Sequence, residues 1–313
     1  MITLADIGAA RARIAGRLPP TPLIPSRFCS TLLGCRVSLK LELFQKTGSF
    51  KPRGAFNKLL AMTPEQRSQG VVAVSGGNHA QAVAYAAGQL GCPATIYVPK
   101  STPANYLEAT AHYGARLVLC DDIAQAFARA AADPLPLVHP FDDPLVAAGQ
   151  GTLGLEILEA APDLTHLFVS IGGGGLIAGI ATAVKALHPA VDILGVETEG
   201  ADAMARSLAA GTIVTLPAIT SIARTLGAPA PSTATLEAVQ RLVREVVVVS
   251  DAEAFAALLL LLERAKILSE PAASCTLAAA RRFTFRPSDH VVLLLCGGNV
   301  ALADLCTWRG NFA

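Results

Sequence analysis

The sequence predicts an α/β protein made of two doubly wound parts with mostly parallel sheets. Three observations carry this. Short β-branched runs alternate with alanine-rich stretches of helical spacing; the runs are continuously apolar, as in strands covered on both faces; and the glycine clusters follow strands, at the carboxyl ends where open parallel sheets bind ligands.

The alternation is clear from about residue 70. "GVVAVS" reads as a strand, and the helix behind it sets Ala80, Val83, Ala84, Ala87 and Leu90 on one apolar face. "ATIYVP", a helix around "PANYLEATAHYG", "ARLVLC" and "IAQAFARAAA" continue in βαβα order. The second half repeats it with "HLFVSIG", "IAGIATAVKAL", "DILGVE" and "HVVLLLC", the last running into "GGNVALADL". Between the halves, "DPLPLVHPFDDPLVAAGQG" is rich in Pro and Asp and makes the best crossover, so the site is expected in a cleft between two lobes. Ser250-x-x-Glu253 reads as a capping box opening a buried helix that carries "FAALLLLLE", a run too short for a bilayer.

Composition narrows the partners. Of 313 residues 52% are hydrophobic and 16% charged, enough apolar chain for a large core. Twenty-five basic and 24 acidic residues leave a net charge of +1 without long runs of either sign, which argues against nucleic acid and membrane surfaces and for a small-molecule ligand. The seven cysteines are scattered, without a C-x-x-C pair, so the expectation is a reducing cytoplasm and no disulfide framework or zinc knuckle. The N-terminal stretch has acid and arginines but no continuous apolar core, unlike a signal peptide.

One stretch singles out a reagent. In "KTGSFKPRGAFNKL", residues 46–59, Pro52 fits the first position of a helix, leaving Lys51 at its mouth. A residue before proline is pushed toward extended backbone, so Lys51 is expected to project from the mouth, unlike Lys46 and Lys58. The positive end of the helix, Arg53 and burial would each favour its neutral, nucleophilic amine, the form that builds a Schiff base.

Two loops offer anion sites. "SIGGGGLIAG" places Gly172, Gly173, Gly174 and Gly175 between a strand and a helix, where exposed N–H groups suit a phosphate. "SGGNHA" does the same with Ser75, Gly76, Asn78 and His79 and could hold a carboxylate; equally, Asn78 could be a cap and His79 an ordinary first-turn residue. The four-glycine loop also supports an NAD-dependent dehydrogenase, with Glu197 at the end of the next strand meant for a ribose hydroxyl. Its spelling fits poorly, since Ile177 stands where the third glycine of G-x-G-x-x-G belongs.

A Schiff-base lysine, a phosphate loop and a second anion loop together require an aldehyde with a phosphate, which pyridoxal 5'-phosphate has. The sequence here resembles the fold-type-II pyridoxal-phosphate enzymes, the serine/threonine dehydratase (ammonia-lyase) and serine racemase group. The matches run in order through "TPLIPS", "KTGSFKPRGAFNKL", "SGGNHAQAVAYAA", "PFDDPLVAAGQGTLGLEI", "SIGGGGLIAGIA", "GVE", "KILSEPAA" and "LLLCGGN".

The resemblance implies a tryptophan synthase β-like fold with a large cofactor-binding domain, residues 1–47 and 143–313, and a small mobile domain, residues 48–142. It implies that Lys51 holds the cofactor and moves the Cα proton, that Phe50 packs on the cofactor ring, and that Gly172 to Gly175 bind the phosphate. Asn78 would bond the ring hydroxyl, and Ser75, Gly76, Asn78 and His79 would form the substrate-carboxylate loop. Cys296 would face the pyridine nitrogen, where a neutral thiol weakens the ring as an electron sink and favours prompt β-elimination. Racemases of the group carry a serine where this chain has Gly76, so elimination is expected over racemisation, and Gly76→Ser is expected to introduce some racemase activity.

"ETEGADA", "LPAITSIARTLG" and "KILSEPA" resemble the liver-type serine dehydratases, which hold a cation near the phosphate loop. Carried over, the ligands would be the Glu197 carboxyl and carbonyls near Ala201, Ala203, Leu226 and Ala228, with K+ ahead of Mg2+ on ligand type. The short stretch after "CGGNVALADL" leaves the expectation of no appended regulatory domain. The activity expected is elimination of ammonia from L-threonine and/or L-serine by a cytoplasmic homodimer. The alternatives are another β-hydroxy amino acid (3-hydroxyaspartate, phenylserine), serine racemisation and, outside the class, the dehydrogenase.

Overall fold

The computed structural model describes residues 1–312. In chain order its elements are α1 (Leu4–Ile14), β1 (Leu23–Pro25), α2 (Arg27–Leu33), β2 (Arg36–Leu41), α3 (Pro52–Ala61), α4 (Pro64–Gln69), β3 (Val71–Val74), α5 (Asn78–Gln89), β4 (Ala94–Pro99), α6 (Ala104–His112), β5 (Arg116–Cys120) and α7 (Ile123–Ala132). They continue with α8 (Pro144–Ala160), β6 (His166–Ser170), α9 (Gly175–Leu187), β7 (Asp192–Thr198), α10 (Ala203–Ala210), α11 (Thr233–Leu242), β8 (Glu245–Val249), α12 (Asp251–Leu260), α13 (Pro271–Ala280), β9 (His290–Leu295) and α14 (Leu302–Phe312).

The strands form two sheets, as the α/β reading requires. One has six strands in the order β1-β2-β9-β6-β7-β8, parallel except for the antiparallel edge strand β1. The other is the parallel trio β3-β4-β5. Every residue of β9 is buried, and so is every residue of α13, whose small side chains let it lie in the core beside the six-stranded sheet. That is why "HVVLLL" and "PAASCTLAAA" show no polar face.

Local signals set the helix boundaries. Ser250 caps α12 through a reciprocal bond with Glu253, as its spacing predicts. Asp143 caps α8 by accepting from the N–H groups of Leu145 and Val146, with Pro144 at the first helical position. The crossover segment therefore ends at residue 143, and "PLVAAGQG" belongs to a buried helix.

Three strands were not read from the sequence: β1, β2 and β8. In β2 the buried Lys40 and Ser38 interrupt the apolar run, and both polar ends find partners, Lys40 with Glu156 and Ser38 with His290. Among the described residues no helix is long and apolar enough to cross a membrane. All seven cysteines are free, and all but Cys306 are buried.

Candidate active site

One pocket gathers residues from the carboxyl ends of β3, β6 and β9. Its lining includes Phe50, Lys51, Asn78, Gly172 to Gly175, Glu270 and Cys296. Lys51 comes to it from the N-terminal end of α3, where Pro52 occupies the first helical position as expected.

The backbone of Lys51 departs from expectation. It is right-handed helical, φ −55° and ψ −33°, not extended. Two bonds draw the residue into the turn against the pre-proline preference: Arg53 N–H donates to the Phe50 carbonyl at 3.1 Å, and Ala55 N–H donates to the Lys51 carbonyl at 3.3 Å. Phe50 is itself fixed, its N–H donating to the Cys296 carbonyl at 3.1 Å.

The Lys51 ammonium donates to the Pro140 carbonyl at 3.0 Å and lies 5.1 Å from the centroid of the Phe50 ring. Burial lowers its pKa to about 8, while the Cys296 and Glu270 side chains act in the opposite direction. Arg53 plays no part in that shift, contrary to expectation. Its guanidinium turns away, donating to Glu42 at 2.8 Å and to Glu156 at 2.6 Å.

The glycine loop is shaped by close approach. A side chain at residue 173 would overlap the Phe141 ring, and residue 174 has φ +91°. Gly174 precedes α9 without any side-chain cap, leaving the N–H donors of that helix mouth for an anion in the pocket. Cys296 is buried, and burial raises its thiol well above the ordinary value, so it is neutral. The aromatic wall, the lysine, the uncapped helix mouth and the neutral thiol fit a flat heteroaromatic aldehyde bearing a phosphate.

In the second loop, Ser75 Oγ accepts from the Gly77 N–H at 3.0 Å, and α5 also begins without a side-chain cap. Asn78 reaches the pocket. The His79 ring does not line it: its Nε2 pairs with the Val138 carbonyl at 2.8 Å, and burial lowers its pKa to about 3. The ring is therefore neutral, and what His79 offers an anion is its backbone N–H.

Gly76 lies against the loop that follows β4. A Cβ there would overlap the Thr102 Oγ1. That oxygen is the end of a half-buried side chain that can turn aside, so Gly76→Ser should fold and give some D-product, measured by chiral chromatography. No D-product from Gly76→Ser, and none from Gly76→Ser/Thr102→Ala, would overturn this.

Glu270 was missed. It ends "KILSE", directly before Pro271 at the start of α13, and is 3% exposed. It accepts from Asn78 Nδ2 at 2.9 Å and from Thr225 Oγ1 at 2.8 Å, and burial raises its pKa to about 7. An acid immediately before a first-turn proline, inside an apolar segment, is the signal that could have found it.

The residues expected around a cation lie near the start of α10 and the turn Arg224–Leu226. Glu197 is fully buried, accepting from the N–H groups of Met204 at 3.0 Å and Ala205 at 2.8 Å. Burial raises its pKa to about 8. The Ala203 carbonyl accepts from Ser207 Oγ at 2.6 Å and the Leu226 carbonyl from the Ala228 N–H at 2.7 Å. Each of these oxygens keeps a second lone pair. So placed, Glu197 is not exposed for a ribose hydroxyl.

Comparison with known proteins agrees with the cofactor that the pocket fits. The family model described as pyridoxal-phosphate dependent enzyme matches residues 14–297. An L-threonine ammonia-lyase of Geobacter sulfurreducens is 44% identical over 96% of this chain and 76% of its own length. A catabolic L-threonine dehydratase of Escherichia coli K12 is 37% identical over 99% of this chain and 96% of its own. The structure of maize serine racemase superposes with a TM-score of 0.93 at 37% identity, covering 99% of this chain and 97% of that one.

Proposed function

Because the chain belongs to the pyridoxal-phosphate-dependent enzyme family, we propose that it is a serine/threonine dehydratase, an ammonia-lyase that converts L-threonine, and L-serine alongside it, to 2-oxobutyrate or pyruvate and ammonia. The observation that carries the proposal is the Lys51 amine, lowered to about 8, in one pocket with the uncapped glycine loop. Bound there, pyridoxal phosphate supplies an aldehyde for amines and a ring that accepts electrons.

The protein's residues do the rest. Lys51 would hold the cofactor through its amine, and the same amine is the base for the substrate Cα proton. The N–H groups of Gly172 to Gly175 hold the phosphate and Phe50 covers the ring. Asn78, braced by Glu270, orients the ring through its hydroxyl. The neutral Cys296 thiol would face the ring nitrogen without a charge to protonate it, a setting that favours elimination over racemisation. Ser75 and the amides of Gly76, Asn78 and His79 take the substrate carboxylate.

The proposal extends to a small mobile domain, residues 48–142, closing on the remainder, and to a cytoplasmic homodimer. It includes K+ at Glu197 and the carbonyls near Ala201, Ala203, Leu226 and Ala228, ahead of Mg2+. A cation there would draw the Glu197 carboxyl from about 8 into its charged form, so K+ should release a proton at pH 7.5 and raise activity. Equal activity in K+ and tetramethylammonium buffers would remove the cation from the proposal.

The deciding experiment is keto-acid release over a panel of β-hydroxy amino acids. L-threonine and L-serine should lead. Turnover confined to 3-hydroxyaspartate or phenylserine, or D-serine formation exceeding keto acid, would replace the reading. One methyl separates the two leading substrates, about 1–3 kcal/mol in an apolar pocket.

A further inference from the structure

The segment that follows β9 ties together the parts of the site. The Cys296 carbonyl holds Phe50, the Gly297 carbonyl accepts from the Glu270 N–H at 3.2 Å, and the Gly298 N–H donates to the Gly48 carbonyl at 3.0 Å. Asn299 completes it. Its Nδ2 donates to the Thr47 carbonyl at 2.7 Å and to Asn78 Oδ1 at 2.8 Å, and Asn78 donates in turn to Glu270.

The Asn299 carbonyl receives a bond from outside this cluster. Tyr106, on α6, donates its hydroxyl to it at 2.5 Å. The ring is 9% exposed, and burial raises the phenol, which stays a neutral donor. Among the described residues no other hydrogen bond or ion pair runs from residues 94–137 to the part of the chain that builds the six-stranded sheet. A rotation of the β3-β4-β5 unit away from that sheet would break this bond together with those of Asn78, on α5 of the same unit, to Asn299 and Glu270, and with them the fixed position of residue 299.

We propose that Tyr106 is a positioning residue that reports closure to the site: its bond to Asn299 sets Asn299 against Asn78 and hence Asn78 against Glu270, so that the cofactor ring is oriented when the cleft is shut. The inference rests on the small mobile domain proposed above and, for its kinetic part, on the lyase reading. The residue touches none of the reacting atoms and acts through Asn299.

The test uses Tyr106→Phe, which keeps the ring and removes one donor. In the protein without cofactor, amide exchange at residues 297–299 should quicken about threefold to tenfold, the range for one lost hydrogen bond. In the loaded enzyme kcat should fall by a similar factor with KM for L-threonine within about twofold. Asn299→Ala retains the carbonyl but cuts the link to Asn78, so adding Tyr106→Phe to it should leave kcat unchanged.

Unchanged exchange overturns the proposal, as does faster exchange with a kcat loss that simply adds to that of Asn299→Ala, which would mean a structural role. These results are separable from failure of the lyase reading, in which the unaltered protein releases no keto acid. In that case exchange alone decides whether the bond holds the segment.

Discussion

Lys51→Ala should abolish the visible absorption of the cofactor-loaded protein and reduce keto-acid release by about 10^4-fold or more. Lys51 is the only lysine lining the pocket, so the variant has no second amine to link to an aldehyde there. The Pro140 carbonyl, the Phe50 ring and the neutral Cys296 thiol cannot take a proton from carbon. Lys46→Ala serves as the control, with activity retained. The measurement is an absorbance spectrum with borohydride trapping, followed by an assay with L-threonine. A colourless variant with full activity would end the proposed function.

Arg53→Ala should cost about 3–5 kcal/mol of folding stability in urea melts, the range for removing one partner of a buried ion pair. Arg53 and Lys40 each expose 2% of their side chains, Glu42 none and Glu156 16%. Two cations balance two anions, and Arg53 alone joins the two carboxylates, adding a bond to Thr152 Oγ1 at 3.2 Å. Without it Glu42 stays buried with only the Thr21 hydroxyl as a side-chain donor. The half-exposed Arg11–Glu159 pair is the comparison, where Arg11→Ala should cost under about 1 kcal/mol. A loss at Arg53 no larger than at Arg11 would refute the argument.

Much of this was legible in the sequence because the signals are local. The βα alternation, the Ser250 capping box, Pro52 at the start of α3 and the glycine loops before α5 and α9 each depend on a few adjacent residues. What could not be read depends on distant partners. Lys40 looks like a surface charge until Glu156 comes to it across 116 positions. Arg53 looks like a neighbour of Lys51, yet its partners, Glu42 and Glu156, lie on the other side of the helix mouth. Thr102 fills the space beside Gly76 only once the loop after β4 folds back over the one after β3. Glu270 and Asn299 belong to the site through Asn78, which donates to Glu270 and accepts from Asn299, partners 192 and 221 positions away.

The sheet order also governs how the chain can reach its native state. The strands between residues 71 and 120 pair with one another, and β3 besides with Leu137, so β3, β4 and β5 can assemble while the ribosome is still at work on the second half. The larger sheet has no such freedom, because β2 lies beside β9, with Arg36 opposite His290. Until β9, the last strand, has emerged, β1 and β2 have no strand partner but each other, and a premature stop before residue 290 leaves unpaired the edge of β2 that faces β9.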